Sequence, residues 1–111
     1  MTKRLLSAAT LFLALATSLP AAAGLPSYDL ELQDGKLNPE VIHVKAGERF
    51  KLNIRNTGQG PVEFESQRLR QEKVLAPGAS SFVVIHPLKP GEYDFIDEFH
   101  LPDAKGRIVA E

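Results

Sequence analysis

The feature that most constrains this chain is its punctuation. Short apolar runs recur throughout, and Gly, Pro or Asn breaks them every eight to twelve residues. No segment carries a sustained helical period. The clearest run is Arg49 to Asn56, where Phe50, Leu52 and Ile54 alternate with Arg49, Lys51, Asn53 and Arg55. A two-residue period of that kind belongs to a strand with one face buried. Tyr28 to Gln33 alternates in the same way before an Asp34-Gly35 turn, and Val41 to Lys45 follows Asn38-Pro39 with a less regular alternation. Val62 to Glu65 places Val62 and Phe64 on one face and Glu63 and Glu65 on the other. Gln67 to Glu72 is polar and fits a helical turn or an irregular edge. Ser81 to Ile85 is almost wholly apolar, as for a strand buried on both faces. Glu92 to Ile96 and Arg107 to Ala110 complete the series. Seven or eight short strands at this spacing predict an all-β fold, a Greek-key β-sandwich or a barrel.

The 111 residues suffice for one such domain. The N-terminal end differs from the rest. Lys3 and Arg4 precede an apolar run from Leu5 to Leu19, and Ala21, Ala22 and Ala23 follow. This is the pattern of a secretory signal peptide over residues 1–23, leaving a domain over 24–111 and implying export. The apolar run is short for a membrane span of roughly 20 residues. The formal net charge is −1, and losing Lys3 and Arg4 takes it to −3. With no basic patch, the composition argues against a nucleic-acid partner. There is no Cys, and Met1 is the only Met. The domain therefore has no sulfur with which to form a disulfide or bind a soft metal.

Chemistry-bearing residues gather late in the chain. Pro90 to Gly106 carries Tyr93 and Phe95 on one strand face, then Asp97, Glu98 and His100 within four residues. Carboxylates beside an imidazole suit Fe(II), Fe(III), Mn(II) or oxygen- and nitrogen-ligated Cu(II), and do not suit Cu(I). Asp97 and Glu98 would point opposite ways on a regular strand, whereas Glu98 and His100 stand at a spacing that returns to one face. His43 and His86 read as structural or exposed. Tyr93, Phe95, Phe82, Phe50 and Phe64 read as core. The Arg68, Arg70 and Lys73 run reads as a solvated edge.

The order of signals resembles the cupredoxin fold. Tyr93-Asp94-Phe95-Ile96-Asp97 stands where that family has Tyr-x-Phe-x-Cys, and His100 keeps the family's three-residue step. Asn56 to Pro61 resembles its earlier ligand loop, and Gly106-Arg107-Ile108-Val109 its closing strand. Ala46-Gly47-Glu48 and Pro90-Gly91-Glu92-Tyr93 are similar to its turns. The departures are chemical. Asp97 replaces the cysteine, Ala104 or Lys105 stands near the methionine position, and around Pro61 the family's His is missing, with Val62-Glu63-Phe64-Glu65 following instead. A blue copper centre needs a thiolate, so blue-copper electron transfer is excluded.

A closer resemblance is to the cupredoxin-like domains of bacterial periplasmic iron uptake, of the EfeO and FtrB types, through Glu63-Phe64-Glu65, Pro77-Gly78 and Pro90 to Asp97. It implies a periplasmic protein that binds an iron or copper ion and serves ferrous-iron acquisition, extending to assistance in iron oxidation before transport. Its implied partners are a periplasmic iron-binding protein and a membrane permease. The metal ligands expected on these grounds are Glu63, Asp97, Glu98 and His100, with Glu65 behind them or as an alternative ligand. No catalytic residue is expected. The competing expectation is a β-sandwich module that docks another exported protein without a metal.

Overall fold

The computed structural model describes residues 24–111. The expected signal peptide, residues 1–23, lies outside the described residues. Nine strands follow in order: β1 (Ser27–Gln33), β2 (Lys36–Asn38), β3 (Val41–Val44), β4 (Phe50–Asn56), β5 (Val62–Ser66), β6 (Gln71–Leu75), β7 (Ser80–Ile85), β8 (Gly91–Asp97) and β9 (Lys105–Ala110). One turn of 3-10 helix, Glu98–His100, separates β8 from β9. The strands form two sheets, with orders β2-β1-β4-β7 and β3-β9-β8-β5-β6. The chain is thus the all-β sandwich its punctuation predicts.

Two strands exceed the expected set. Asp34 and Gly35 both take positive φ, 47° and 95°. That is the backbone of a two-residue primed turn, so the chain doubles back at once and Lys36–Asn38 pairs with β1. The second is β6. Gln67–Arg70 makes the turn, and Gln71–Leu75 returns antiparallel to β5.

Alternation decides what is inside. Phe50, Leu52 and Ile54 of β4 are buried, with Leu30 and Leu32 of β1 beside them on the same sheet. Val62, Phe64, Phe95 and Ile108 come from the facing sheet. Phe64 and Phe95 pack at 5.5 Å between ring centroids, and Tyr28 meets Phe50 edge-on at 5.4 Å. Gly106 pairs with Phe95 across β8 and β9. A Cβ there would come within 2.6 Å of both the Phe95 ring and the Glu40 carbonyl. The ring therefore lies where any side chain at 106 would have to be.

β7 corrects the expectation of a strand buried on both faces. Only Val83 and Ile85 are buried, while Phe82 is 49% exposed. It is a wall of the outer surface, with the Lys51 ammonium 4.4 Å from its ring centre. An all-apolar run can arise from an edge strand with one exposed aromatic, and its residue types alone do not show which.

Candidate metal centre

The site lies on the five-stranded sheet, and alternation along β5 creates it. Val62, Phe64 and Ser66 turn inward, so Glu63 and Glu65 turn outward two residues apart. The turn at Gln67–Arg70 then sets the register of β6, placing Glu72 directly opposite Glu65 and Val74 opposite Glu63. One ligand oxygen from each of Glu63, Glu65 and Glu72 lies within 4.8 Å of the others. Among the described residues this is the one group of three potential ligands so placed.

Like charges facing one another across a sheet are unfavourable, and protonation is how the cluster relieves them. A hydrogen bond with Glu72 raises Glu63 to about 7, with burial and the charges of Glu72, Glu65 and Glu98 adding to it. Glu65 is also raised, by burial first and then by the charge of Glu98 and a hydrogen bond with it. Glu98 therefore belongs to this cluster as its fourth carboxylate. No Lys, Arg or His makes an ion pair with any of the four among the described residues. The nearby Arg68 is turned elsewhere, donating to the Glu92 carbonyl at 2.6 Å and stacking over Tyr93 at 4.5 Å.

Asp97 and His100 form a different unit. Asp97 is fully buried and pairs in register with Phe64. Its Oδ1 accepts the Glu63 amide at 3.0 Å and the Phe99 amide at 3.2 Å. Its Oδ2 meets His100 Nδ1 at 2.6 Å. Both carboxylate oxygens are thus engaged inside the protein, one of them as the cap of the 3-10 turn. A carboxylate only accepts, so His100 carries its proton on Nδ1 and, in the neutral ring, leaves Nε2 bare. The turn also separates His100 from Glu98. Two residues apart share a face in a strand, but in a 3-10 helix they do not. Glu98 borders a depression with Glu65, Gln67, Arg68 and Asp94. His100 borders another, with Asp34, Lys36, Phe99 and Asp103.

The expected ligands are therefore divided. Glu63, Glu65 and Glu98 come together, Asp97 supports the strand beneath them, and His100 faces the β1–β2 turn. Glu72 is the residue that sequence reasoning missed. Pairing Val62–Ser66 with Gln71–Leu75 across a four-residue turn would have found it, because that hairpin places position 72 opposite position 65. His43 and His86 are exposed and stand apart, His43 bonded to Glu111 at 3.0 Å.

The loop corresponding to an earlier ligand loop is fixed without a metal. Buried Asn56 donates to the carbonyls of Gly60 and Leu75 and accepts the Gly58 amide. Asp34 accepts the amides of Gln59 and Gly60 from outside. Ala104, near the methionine position of the resemblance, is buried, and its carbonyl accepts the Asp97 amide at 3.0 Å.

Comparison with known proteins agrees with this architecture. An uncharacterized protein of Rickettsia prowazekii (strain Madrid E) is 34% identical over 80 residues, covering 72% of this chain, and this match spans 64% of that relative's length. Among solved structures, the fold is similar to the metal-binding domain of the Cu(I)-exporting P-type ATPase CopA of Streptococcus pneumoniae D39, determined with Cu(I). The TM-score is 0.70 at 14% identity, over 85% of this chain and 91% of that one. Auracyanin from Roseiflexus castenholzii gives a TM-score of 0.64 at 14% identity, over 79% and 99% of the two chains. A purple cupredoxin of Nitrosopumilus maritimus gives 0.55 at 14%, over 75% and 98%. These likenesses concern the fold. The family model for the cupredoxin-like domain matches residues 4–110, nearly the whole sequence, and this chain belongs to that family.

Proposed function

We propose that this protein binds a hard or borderline metal ion on the outer face of its five-stranded sheet, through Glu63, Glu65 and Glu72, with Glu98 at the margin. The observation that carries the reading is the three carboxylates facing each other across β5 and β6 with no cation of the chain among them. A multivalent cation would turn this repulsion into attraction and release the proton that Glu63 holds near neutrality. Oxygen donors favour Fe(III), Fe(II) or Mn(II) and disfavour Cu(I). Fold relatives that bind copper, among them the Cu(I) exporter domain, support metal binding in general. The carboxylates of this chain support iron over copper.

The finer role rests on the resemblance carried by Glu63-Phe64-Glu65 and Pro90 to Asp97. On that basis the protein is exported and serves ferrous-iron acquisition, handing its ion to a periplasmic iron-binding protein or a permease. Carboxylates hold the ferric ion better than the ferrous one, so the same set would favour loss of one electron from bound Fe(II) to an external oxidant such as dioxygen. Asp97 contributes by holding β5 through the Glu63 amide, and His100 stands apart from the cation.

Equilibrium dialysis with Fe(II) under anaerobic conditions, Fe(III)-citrate, Mn(II) and Cu(II) tests this. The expected result is one ion per chain, lost when Glu63, Glu65 and Glu72 are replaced together by Gln and retained in His100→Ala. Undiminished binding in the triple variant would refute the site.

A further inference from the structure

The sandwich is filled by apolar side chains, yet among the described residues three polar ones are buried with them: Asn56, Ser66 and Asp97. Taking a polar group out of water is unfavourable, and hydrogen bonds inside the protein must offset it. All three make those bonds at one element, the β5–β6 hairpin that carries Glu63, Glu65 and Glu72.

The hairpin has little backbone ladder to fix it against its neighbours. β5 pairs with β8 at two positions, Phe64 with Asp97 and Glu65 with Ile96. At its open end the last pair is Val62 with Leu75. Pro61 precedes one strand and Pro77 follows the other, and proline has no amide with which to extend a ladder. Side chains take over at each place. From the end of β4, the Asn56 side-chain NH2 donates to the Gly60 carbonyl at 2.9 Å and to the Leu75 carbonyl at 3.0 Å, bridging the two chain segments beside the open end. Its Oδ1 accepts the Gly58 amide at 2.9 Å, and its backbone bonds Gly78 and Ala79 before β7. Beside the turn, Ser66 Oγ donates to the Asp94 carbonyl at 2.7 Å and accepts the Leu69 amide at 3.3 Å. Between these two points Asp97 holds the Glu63 amide at 3.0 Å.

We propose that Asn56 and Ser66, together with Asp97, are positioning residues of the cation site. They hold the hairpin at its open end, its turn and its middle, and so fix the spacing of the carboxylates and the ion they prefer. The inference rests on the metal reading above. A satisfied network of buried hydrogen bonds specifies one arrangement, which apolar contact alone does less well. Ser66 turns inward on β5 while Glu63 and Glu65 turn outward, so its loss removes no ligand. Selectivity among oxygen-bound cations follows cavity size and flexibility. A held set of carboxylates discriminates between ions. A slack set widens to accept Ca(II), whose bonds to oxygen are about 2.3–2.6 Å.

The test compares Mn(II) and Ca(II) affinities by equilibrium dialysis of the full chain. Asn56→Ala and Ser66→Ala should each weaken Mn(II) binding by about tenfold, the lower end of the range for residues that support metal ligands. Ca(II) binding should weaken less, so the ratio falls. Val83→Ala, in the core under β7, should lower Tm and leave the ratio unchanged, which separates positioning from general stability. Coupling is reciprocal, so saturating Mn(II) should slow exchange of the Gly58 amide, which bonds Asn56 outside the hairpin, by a similar factor in mass spectrometry of the unsubstituted chain. If Asn56→Ala fails to fold, Ser66→Ala and the exchange measurement decide. An unchanged ratio in Ser66→Ala, or a Gly58 amide indifferent to bound Mn(II), would overturn the proposal and leave the metal reading standing. An unsubstituted chain that binds no Mn(II) would overturn that reading, and this inference with it.

Discussion

Glu63 and Asp97 are two acidic residues joined by one hydrogen bond, and they take opposite parts. Glu63 keeps its proton to about pH 7 in the folded protein, against a usual value of 4.5. The folded state therefore binds more protons than the unfolded chain between those values. Without metal, stability should be fully present below about 4.5 and fall as pH rises through about 7. Glu63→Gln should flatten that slope, and thermal melts across this range measure it. Saturating metal should reverse the sign, since the ion binds the deprotonated set. Asp97 holds structure. Asp97→Ala would orphan the part-buried Glu63 and Phe99 amides, at roughly 1–3 kcal/mol for each donor and about 2–6 kcal/mol in all, measured by denaturant unfolding. In Asp97→Asn the acceptor for the amides survives, but an NH2 group can face Nδ1. Nitrogen NMR should then show His100 moving its proton to Nε2.

The elements show how far residue pattern reaches. The strand alternation at 49–56 and 28–33 was legible because one face of each strand is buried and the other is solvated. The inward place of Phe95 and the outward place of Glu63 and Glu65 follow from the same rule. β6 was not legible, since Gln71 to Leu75 has two charged residues and an exposed Val74. Only its pairing with β5 makes it a strand, and Glu72 became a site residue with it. The 3-10 turn was hidden too: Glu98 and His100 share a face only if the chain stays extended, and the Asp97 side chain caps a turn instead. The closing strand offers a test of packing at this scale. Gly106→Ala would drive a Cβ to 2.6 Å from the Phe95 ring and the Glu40 carbonyl. Overpacking of that kind costs about 1–3 kcal/mol, and a lowered denaturation midpoint with unchanged slope would report it. The metal stoichiometry should persist, because the carboxylates lie on the other face of the sheet.

At the scale of the molecule, the sandwich keeps the architecture of its family, and the cation site proposed for it lies on the outer face of one sheet. The buried end of β8 holds Asp97, saturated by amides and an imidazole. The charge that seeks a partner lies outside, on β5 and β6. Stability should therefore be coupled to the metal. An ion at a hundredfold excess over its Kd stabilises the folded state by about 2.7 kcal/mol. For a domain of this size each kcal/mol raises Tm by roughly 4–8 °C, so loading should raise it by about 10–20 °C. Replacing Glu63, Glu65 and Glu72 by Gln should have two separable consequences. The metal-free protein should melt higher, because mutual repulsion is gone, and added metal should give no further rise. A variant that melts lower without metal would mean that the carboxylates do not repel one another, and one that still gains from added metal would mean that they do not hold the ion. Cu(II), if it enters the cluster, should show weak visible absorption without the intense thiolate band of a blue site, since the chain has no Cys to supply one.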